Sequence, residues 1–455
     1  AMHFTSFQEV VTYMESFTNL EKQTDHYTTR VYRLDRMHAI LSYIGNPELS
    51  FRKIHLAGSK GKGSTASYLA SGLTALGYKT GLYVSPHLAD YRERFTQSGL
   101  FFPDSELVRA GNELRSRLEG FSFTDRWGET TPTTFELFTS FAYLLFSLTG
   151  CQWAVIETGL GGRLDATNTI TPEACVLCPI ELEHTKILGD TLQKIAYEKS
   201  KIIKHKVPCF IGYQEPEVMD VFRKEAHEQE SDLTLLSDEL LTYSYAITKD
   251  GEIVEYWWKD ETHEKLTLAM LGKVQAQNCA LALMTLRKLN LFGEATREAL
   301  QRNTLPGRFQ KIAENPDIYL DGAHTAHSLA ALLESFSALY PSGENTIIYG
   351  ALEDKDHTHM GSLVLDHFTR VIISRPGTFK KSDINLIEQK LRLLAATRSK
   401  GYDIRLIEDN QQALDAALAN TADGGAILVC GSFYLAGGVK TAFDTQRRDN
   451  VVKLA

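Results

Sequence analysis

Glycine, lysine and hydroxyl residues are concentrated in the run GSKGKGST, which starts at Gly58. The apolar run RKIHLA precedes it and the amphipathic pattern STASYLASGLTALG follows, so the run connects a predicted strand to a predicted helix. Glycines let backbone amides curve around phosphate oxygens, the helix N-terminus adds its dipole, and Lys62 supplies a positive charge. Only two residues separate Gly58 from Gly61, so the run departs from the generic P-loop. We predict a variant phosphate loop rather than a plain glycine-rich turn, with the members Gly58, Ser59, Lys60, Gly61, Lys62, Gly63, Ser64 and Thr65.

Acidic, hydroxyl and imidazole side chains follow three further predicted strands. Ser85 follows YKTGLYV, Glu157 ends CQWAVIE, and His184 comes after ACVLCPI. Because the carboxyl ends of parallel strands meet at one edge of a sheet, these residues are expected to converge beside the phosphate loop. A carboxylate there suits a magnesium ligand, whereas a histidine ligand is unusual for magnesium. Taken singly, a strand-end acid or a lone histidine is more often structural, so the hypothesis of a mixed Mg²⁺ site rests on the combination.

The elements that position these residues alternate between apolar strands and helical patterns, as in an α/β protein. Three β-rich runs, YSYAIT, EIVEYWW and KLTLAML, interrupt the alternation and predict a small antiparallel appendage. The alternation restarts with DIYLDGAHT, NTIIYGALED, RVIISRPG, YDIRLIED and GAILVCGSF. We therefore predict two α/β domains. Residues 1–302 form a P-loop ATPase-like domain with a mostly parallel sheet and the appendage, and residues 303–455 form a smaller Rossmann-like domain.

Composition narrows the class of protein. The chain has 455 residues, 43% of them hydrophobic and 23% charged, which is typical of a globular protein. The net charge of -9 comes from interspersed signs without a long basic run, so neither nucleic acid nor an anionic membrane is an expected partner. Cys175 and Cys178 form a CxxC, but no second cysteine or histidine pair completes a zinc site. The six scattered cysteines and the absence of a signal-like start favour the cytoplasm.

Eight segments of the chain resemble, in order, those of folylpolyglutamate synthases and dihydrofolate synthases, a group within the Mur ligase family. They are HLAGSKGKGST, SPHL, VIETGLGGRLDATN, the stretch from ELEHTKILGDT through IAYEKSKI, LPGRFQ, LDGAHT, GALEDKD and GSFYLAGG. The resemblance extends from about residue 30 to about residue 440.

For the N-terminal domain, the resemblance implies that the loop holds ATP phosphates with Lys62 as the phosphate-binding lysine. Ser85, Glu157 and His184 match positions that bind Mg²⁺ in the family. Lys199 matches a lysine that is carbamylated in some members, although its helical pattern LQKIAYEKSKIIK by itself predicts a solvated lysine. A carbamate would convert this cation into a carboxylate-like group.

For the rest of the site, Asn278 of QAQN matches an asparagine near the nucleotide. Arg308 of PGRF, and Asp321 and His324 of DGAH, match residues of the C-terminal domain that reach ATP and the reaction centre. Some positions depart from the family pattern. Ser59 replaces a threonine, Glu183 replaces the aspartate of LDH, and Val274 replaces a histidine.

The implied reaction is ATP-dependent ligation. A substrate carboxylate would be phosphorylated by ATP, and the amine of L-glutamate would then displace the phosphate. The acceptor would be a reduced folate, dihydropteroate, or both. GLGGRLDATN resembles bacterial forms that often use both, whereas Lys60 and the sequence HTA resemble eukaryotic folylpolyglutamate synthases. We favour bifunctional activity, with Mg²⁺ as the cofactor, in a cytoplasmic monomer.

Three other functions compete with this prediction. A muramyl-peptide ligase normally has a uridine-nucleotide domain before the phosphate loop, and only 57 residues precede Gly58. A P-loop kinase would release a phosphorylated product and need no amine. A nucleotide-gated binding protein would have retained the loop without turnover. That alternative is disfavoured by the joint presence of Lys62, Glu157, His184, Lys199, Asp321 and His324.

Overall fold

An eight-stranded sheet is the centre of the N-terminal domain in the computed structural model, which describes residues 3–19, 33–123 and 131–454. Its strands are β1 (Arg52–Ala57), β2 (Thr80–Tyr83), β3 (Phe95–Gln97), β4 (Leu100–Phe101), β5 (Trp153–Glu157), β6 (Ala174–Leu177), β7 (Cys209–Ile211) and β8 (Leu233–Leu235). Their order is β4-β3-β2-β5-β1-β6-β7-β8. The six strands from β2 to β8 in this order run parallel, and β3 and β4 are antiparallel.

Helices cover both faces of this sheet because its inner strands are buried and apolar on both sides. They are α1 (Phe7–Glu15), α2 (Leu34–Tyr43), α3 (Lys62–Ala75), α4 (Asp104–Arg117), α5 (Thr134–Leu148), α6 (Thr185–Leu188), α7 (Leu192–Ser200), α8 (Pro216–Glu228) and α9 (Leu236–Glu239). The helix α5 packs with α1, α2 and α4 on one face. On the other face lies α3, whose first turn belongs to the phosphate loop.

A three-stranded antiparallel sheet packs beside α3. It consists of β9 (Leu240–Thr248), β10 (Gly251–Trp258) and β11 (His263–Leu268), and is followed by α10 (Lys273–Lys288) and α11 (Glu294–Arg302). Val254, Tyr256 and Leu266 of this sheet belong to the same apolar cluster as α3 and α10. The predicted antiparallel appendage is therefore confirmed, and it helps to hold the helix that begins at the phosphate loop.

The C-terminal domain has its own six-stranded sheet in the order β12-β13-β17-β14-β15-β16. The strands are β12 (Gln310–Ala313), β13 (Asp317–Leu320), β14 (Thr346–Tyr349), β15 (Arg370–Ile373), β16 (Asp403–Leu406) and β17 (Ala426–Cys430). The helices are α12 (Ala326–Leu339), α13 (His357–His367), α14 (Ile384–Ala396), α15 (Asn410–Asn420) and α16 (Phe433–Leu454). All strands except the antiparallel edge strand β12 are parallel.

The α/β class and the two-sheet architecture predicted from the sequence are confirmed. The sequence analysis did not identify β3, β4, β8 or β12, each of which has only two to four residues. Such short strands have too few alternating positions to produce a periodic signal. The boundary at residue 303 stays a prediction. It falls between α11, which ends at Arg302, and β12, which begins at Gln310.

The cysteines are buried and free, and burial raises the pKa values of Cys175 and Cys178 to about 12. Both thiols therefore stay protonated, which does not suit metal binding. Within residues 3–19, 33–123 and 131–454, no group of three or more histidine, cysteine or acidic side chains could hold a metal ion. None of the helices in the described part of the chain is both long enough and apolar enough to span a membrane.

One carboxyl group in the N-terminal core is buried without a partner. Glu252 of β10 is 0% exposed, and neither of its oxygens has a hydrogen-bond partner among the described residues. Burial raises its pKa from 4.5 to about 8, since the charged form would lose its hydration. The folded protein therefore keeps this group protonated at neutral pH.

This burial predicts a pH-dependent stability. Between about pH 5 and 8 the unfolded chain releases the proton of Glu252 while the folded chain retains it. The free energy of unfolding should therefore fall as the pH rises, by at most about 1.4 kcal/mol per pH unit. In Glu252→Gln this contribution is absent, so its urea-unfolding free energy should fall less steeply over the same range.

The matched control is Glu298→Gln, which changes an exposed glutamate on α11. It should retain the wild-type slope of stability against pH. Equal slopes for Glu252→Gln and wild type would contradict the assignment of a protonated carboxyl group to Glu252.

Candidate active site

Four adjacent strands, in the order β2-β5-β1-β6, end at one edge of the N-terminal sheet and deliver most of the predicted residues there. Ser85 follows β2, Glu157 ends β5, the phosphate loop follows β1, and His184 lies beyond β6. The parallel pairing of these strands explains the convergence, since their carboxyl ends must meet at the same edge.

Two glycines of the phosphate loop have left-handed or otherwise glycine-specific backbone angles and close neighbours. Gly58 has φ +146°, and a Cβ there would lie 2.6 Å from Cys178 Cβ. Gly61 has φ +81°, and a Cβ there would lie 2.4 Å from Asn278 Oδ1. Asn278, predicted near the nucleotide, thus contacts the loop from α10. Larger residues at these glycines would displace the loop backbone.

Hydrogen bonds hold the loop at its start and also near the first turn of α3. The amides of Ser59 and Lys60 donate to the Pro179 carbonyl at 2.9 and 3.3 Å. Farther along, Gln275 Nε2 of α10 donates to Ser64 Oγ at 3.2 Å. Lys62 begins α3, so its backbone lies at the positive end of the helix dipole. This arrangement suits a loop that binds anions.

Glu157 lies beside the phosphate loop and is 5% exposed. Its Oε2 accepts a hydrogen bond from the backbone amide of Ser85 at 3.3 Å. A Cβ placed at Gly63 would be 3.6 Å from the same oxygen and 3.7 Å from a terminal nitrogen of Arg308. Burial raises the pKa of Glu157, while the charges of Lys62 and Arg308 oppose the rise. A carboxylate, two cations and a loop amide therefore meet at the start of α3.

The glycine-rich segment after Glu157 is shaped by Asp165, a residue that was not predicted to belong to the site. Asp165 is buried, and its carboxylate accepts hydrogen bonds from the amides of Gly159, Leu160 and Thr167 at 3.0, 2.9 and 3.1 Å. These bonds fold the segment into a tight loop behind Glu157. The signal was present in GLGGRLDATN, since an aspartate among glycines commonly caps backbone amides.

Lys199 is buried rather than solvated, contrary to what its charged helical pattern alone indicates. Its Nζ donates to the Gly58 carbonyl at 2.7 Å and to Glu183 Oε1 at 2.6 Å. Burial lowers the pKa of Lys199 to about 8, although Glu183 favours its charged form. Conversely, burial raises the pKa of Glu183, but Lys199 and Lys62 outweigh this and leave it lowered.

His184 lies on the Lys199 side of the loop, with its backbone in the left-handed region at φ +44°. His184 is an exposed residue, yet protein atoms lie close enough to its ring that desolvation lowers its pKa to about 4. Glu183 opposes this shift, and Lys199 and Lys62 add to it. The imidazole is therefore neutral at physiological pH, which is the form that can coordinate a metal.

The C-terminal domain contributes a second group of predicted residues. Asp321 follows β13 and accepts hydrogen bonds from the amides of Phe309 and Ala323 at 2.9 and 2.7 Å. Desolvation raises its pKa, and Arg308 opposes the rise. His324 Nδ1 contacts the Gly322 carbonyl at 2.9 Å. Desolvation lowers the pKa of His324 to about 4 although part of its ring is exposed to the cleft, and the nearby charge of Lys355 adds to the shift.

The two groups meet across the domain interface. Arg308 influences both Glu157 of one domain and Asp321 of the other. Lys60 Nζ lies 3.0 Å from Nε2 of His327 on α12, and Glu181 Oε2 lies 3.8 Å from the same ammonium. This contact of Lys60 with His327 and Glu181 was not predicted from the sequence, because residues far apart in the chain meet here only through tertiary packing.

Two family models match the chain, one for each domain. The Mur ligase middle domain matches residues 56–286, and the Mur ligase, glutamate ligase domain matches residues 307–433. The chain belongs to the Mur ligase family. Together the two matches cover the N-terminal phosphate loop and the C-terminal residues Arg308, Asp321 and His324.

Relatives place this Mur ligase near enzymes of folate metabolism. It is 32% identical over 334 residues to the dihydrofolate synthase/folylpolyglutamate synthase of Bacillus subtilis, covering 72% of this chain and 77% of that protein. It is 31% identical over 446 residues to the folylpolyglutamate synthase of Lacticaseibacillus casei, covering 96% of this chain and 98% of that protein.

Solved structures of folate enzymes are also similar to this Mur ligase. The folylpolyglutamate synthase of Thermotoga maritima superposes with a TM-score of 0.81 at 28% identity, covering 97% of each chain. The Escherichia coli protein FolC, solved in complex with DHPP and ADP, superposes with a TM-score of 0.79 at 28% identity and covers 98% of this chain and 100% of that one. The match of a glutamate ligase domain disfavours a kinase, which would not need that domain.

Proposed function

We propose that this protein is an ATP-dependent ligase that joins L-glutamate to the carboxylate of a reduced folate or of dihydropteroate through an acyl phosphate. One observation carries the proposal. The phosphate loop and Glu157 of the Mur ligase middle domain face Arg308 and Asp321 of the glutamate ligase domain across a single cleft. A nucleotide in that cleft would have an amino-acid ligase domain beside its terminal phosphate.

The first step is attack by the acceptor carboxylate on the γ-phosphorus of ATP, forming an acyl phosphate and releasing ADP. Two anions must approach each other, so the site must neutralise charge. Lys62, at the start of α3, and Arg308, near Glu157, are the cations placed to do so. The loop amides that remain free in the first turn of α3 would hold the phosphate oxygens.

In the second step the amine of glutamate attacks the acyl carbon, the new C–N bond forms, and inorganic phosphate leaves. The amine must be neutral to attack. His324 is itself neutral, with a pKa of about 4, so at neutral pH it can accept a hydrogen bond from the amine or orient it. The carboxylate of Asp321, held by two backbone amides, provides a fixed negative charge beside Arg308. Closure of the two domains would keep water from the acyl phosphate.

Two of the three residues predicted to bind Mg²⁺, Ser85 and Glu157, have side chains of a kind that suits this ion. Ser85 and Glu157 lie together, and a single carboxylate with a hydroxyl and waters is ordinary magnesium coordination. The neutral ring of His184 would complete the set from the Lys199 side. When bound, the ion would supply further positive charge for the phosphate oxygens.

The more specific part of the proposal is which carboxylate substrate accepts the glutamate. The relatives in Bacillus subtilis and Escherichia coli bear both synthase names, whereas the Lacticaseibacillus casei relative bears only that of folylpolyglutamate synthase. The segment GLGGRLDATN supports the bifunctional assignment, and we propose that both acceptors are used. The buried free thiols support a reducing, cytoplasmic location, and we propose a monomer.

Assays of amide formation with each acceptor separately test this assignment. Purified protein with ATP, Mg²⁺ and glutamate should form an amide with tetrahydrofolate and, in a second assay, with dihydropteroate. Omitting glutamate should abolish amide formation. Amide formation with tetrahydrofolate alone would contradict bifunctional activity. Glutamate-independent release of a stable phosphorylated product would indicate a kinase instead.

Removal of the loop cation should abolish turnover. Lys62→Ala should lower kcat by at least about a thousandfold, because the charge that neutralises the transferred phosphoryl group is lost. The control Lys224→Ala changes an exposed lysine on α8 and should behave as wild type. Steady-state kinetics and a circular dichroism spectrum check both variants. Near-normal activity of a folded Lys62→Ala would reject the phosphate-loop assignment.

We also propose that Lys199 is carbamylated in the working enzyme. A carbamate forms from a neutral amine, and a pKa of about 8 leaves roughly a tenth of Lys199 neutral at pH 7. Protein equilibrated with carbon-13 bicarbonate should show a carbamate resonance that grows as the pH rises towards 8. The resonance should be lost in Lys199→Met and retained in Lys224→Met. A wild-type spectrum without it would refute the modification.

A further inference from the structure

Parts of two sequence motifs have no role in the chemistry described above, and the structure brings these parts together at the domain interface. The motifs are SPHL, after β2 in the N-terminal domain, and GSFYLAGG, at the start of α16 in the C-terminal domain. Leu88 of the first motif is 6% exposed, and it belongs to an apolar cluster formed by residues of the C-terminal domain, including Ile318, Leu320 and Leu435. An N-terminal loop thus inserts a side chain into the C-terminal core.

Gly437 of α16 touches the backbone of that same loop. A Cβ at Gly437 would lie 1.8 Å from the Leu88 carbonyl oxygen and 2.8 Å from its carbonyl carbon. The third-nearest atom is the amide nitrogen of Ala89, at 3.7 Å. All three atoms belong to the other domain, so a side chain at Gly437 would obstruct the interface rather than the fold of its own domain. Only glycine allows this approach.

Neither partner can easily move aside. On the N-terminal side, the carboxylate of Glu93 accepts hydrogen bonds from the amides of Leu88, Ala89 and Asp90 at 3.0, 2.9 and 2.7 Å. On the C-terminal side, Leu435, Ala436 and Val439 of α16 are buried in the core of their domain. The contact is therefore between two rigid surfaces.

The two segments that form this contact each lead to one half of the proposed site. The loop that carries Leu88 begins at Ser85, whose amide donates to Glu157. The helix that carries Gly437 begins at Phe433, whose ring lies 5.1 Å from the guanidinium carbon of Arg308. A Cβ at Gly322, next to Asp321, would lie 1.9 Å from the same ring. The contact is therefore linked to Glu157 on one side and to Arg308 and Asp321 on the other.

We propose that Leu88 and Gly437 are positioning residues whose contact sets the distance between the phosphate half and the amino-acid half of the site. This inference rests on the proposed function. A displacement of about 1 Å between reacting groups can cost about a hundredfold in rate, so a side chain that separates the two surfaces should impair catalysis without touching substrate.

The principal test is Gly437→Ala, with Gly424→Ala as the matched control. Gly424 has no atom within 4 Å of an added Cβ and has no left-handed backbone angle. The kcat of Gly437→Ala for glutamate-dependent amide formation should fall by about a hundredfold or more. Gly424→Ala should retain wild-type kcat, and both variants should retain the wild-type circular dichroism spectrum. Wild-type kcat for folded Gly437→Ala would overturn the inference.

A double variant separates positioning from general damage. If Gly437→Ala acts by withdrawing Arg308 from the phosphate half, the double variant with Arg308→Met should have a kcat/KM within about threefold of the worse single variant. If Gly437→Ala instead caused a structural defect independent of Arg308, the fold-losses in kcat/KM of the two single variants would multiply in the double variant. Multiplied effects would therefore overturn the inference.

Leu88→Ala decides the matter if Gly437→Ala does not fold. It removes the inserted side chain and adds no atom, so it should lower kcat by about tenfold, and unchanged kcat would overturn the inference. Failure of the proposed function would look different, because wild type and Gly424→Ala would then show no glutamate-dependent turnover at all.

Discussion

In the unmodified protein, before any carbamylation, the buried ammonium of Lys199 is the interaction on which the arrangement of the N-terminal site depends. Its two short hydrogen bonds connect the first carbonyl of the phosphate loop to the carboxylate of Glu183. A buried cation is costly unless it is paired, so α7, the loop after β1 and the segment after β6 must stay together. The loop therefore has a fixed shape before any nucleotide arrives, and little reorganisation is required when phosphate binds.

The same need to compensate buried charge explains the rest of the cleft. Glu157 is desolvated between Lys62 and Arg308, and Asp321 is desolvated beside Arg308 and two amides. Desolvation by nearby protein atoms lowers the pKa values of His184 and His324 to about 4, and nearby cations add to the shift, so both rings are neutral although both residues are exposed. Charges of both signs are thus held close together at low solvation, where they act on a reacting phosphoryl group more strongly than they would in water.

Because Arg308 and Asp321 belong to a different domain from Glu157, the geometry of the cleft also depends on domain packing. That packing includes contacts with little tolerance. Leu88 enters the C-terminal core, Gly437 lies against the Leu88 backbone, and Lys60 reaches His327. A site between two domains permits substrates to enter. The close backbone contact then fixes the relative position of the two halves of the site, as a single rigid domain would.

The sequence by itself determined the α/β class, the appendage and the phosphate loop, because strand periodicity and glycine spacing are local properties that nearby residues fix. It also predicted that Ser85, Glu157 and His184 converge, since parallel strands share an edge, and the structure joins Ser85 to Glu157 by a hydrogen bond. Only the tertiary structure decided that Lys199 is buried, that Asp165 shapes the loop behind Glu157, and that Leu88 meets Gly437. Each of these depends on packing between segments distant in the chain, and no local pattern records which distant atoms will approach within a few ångströms.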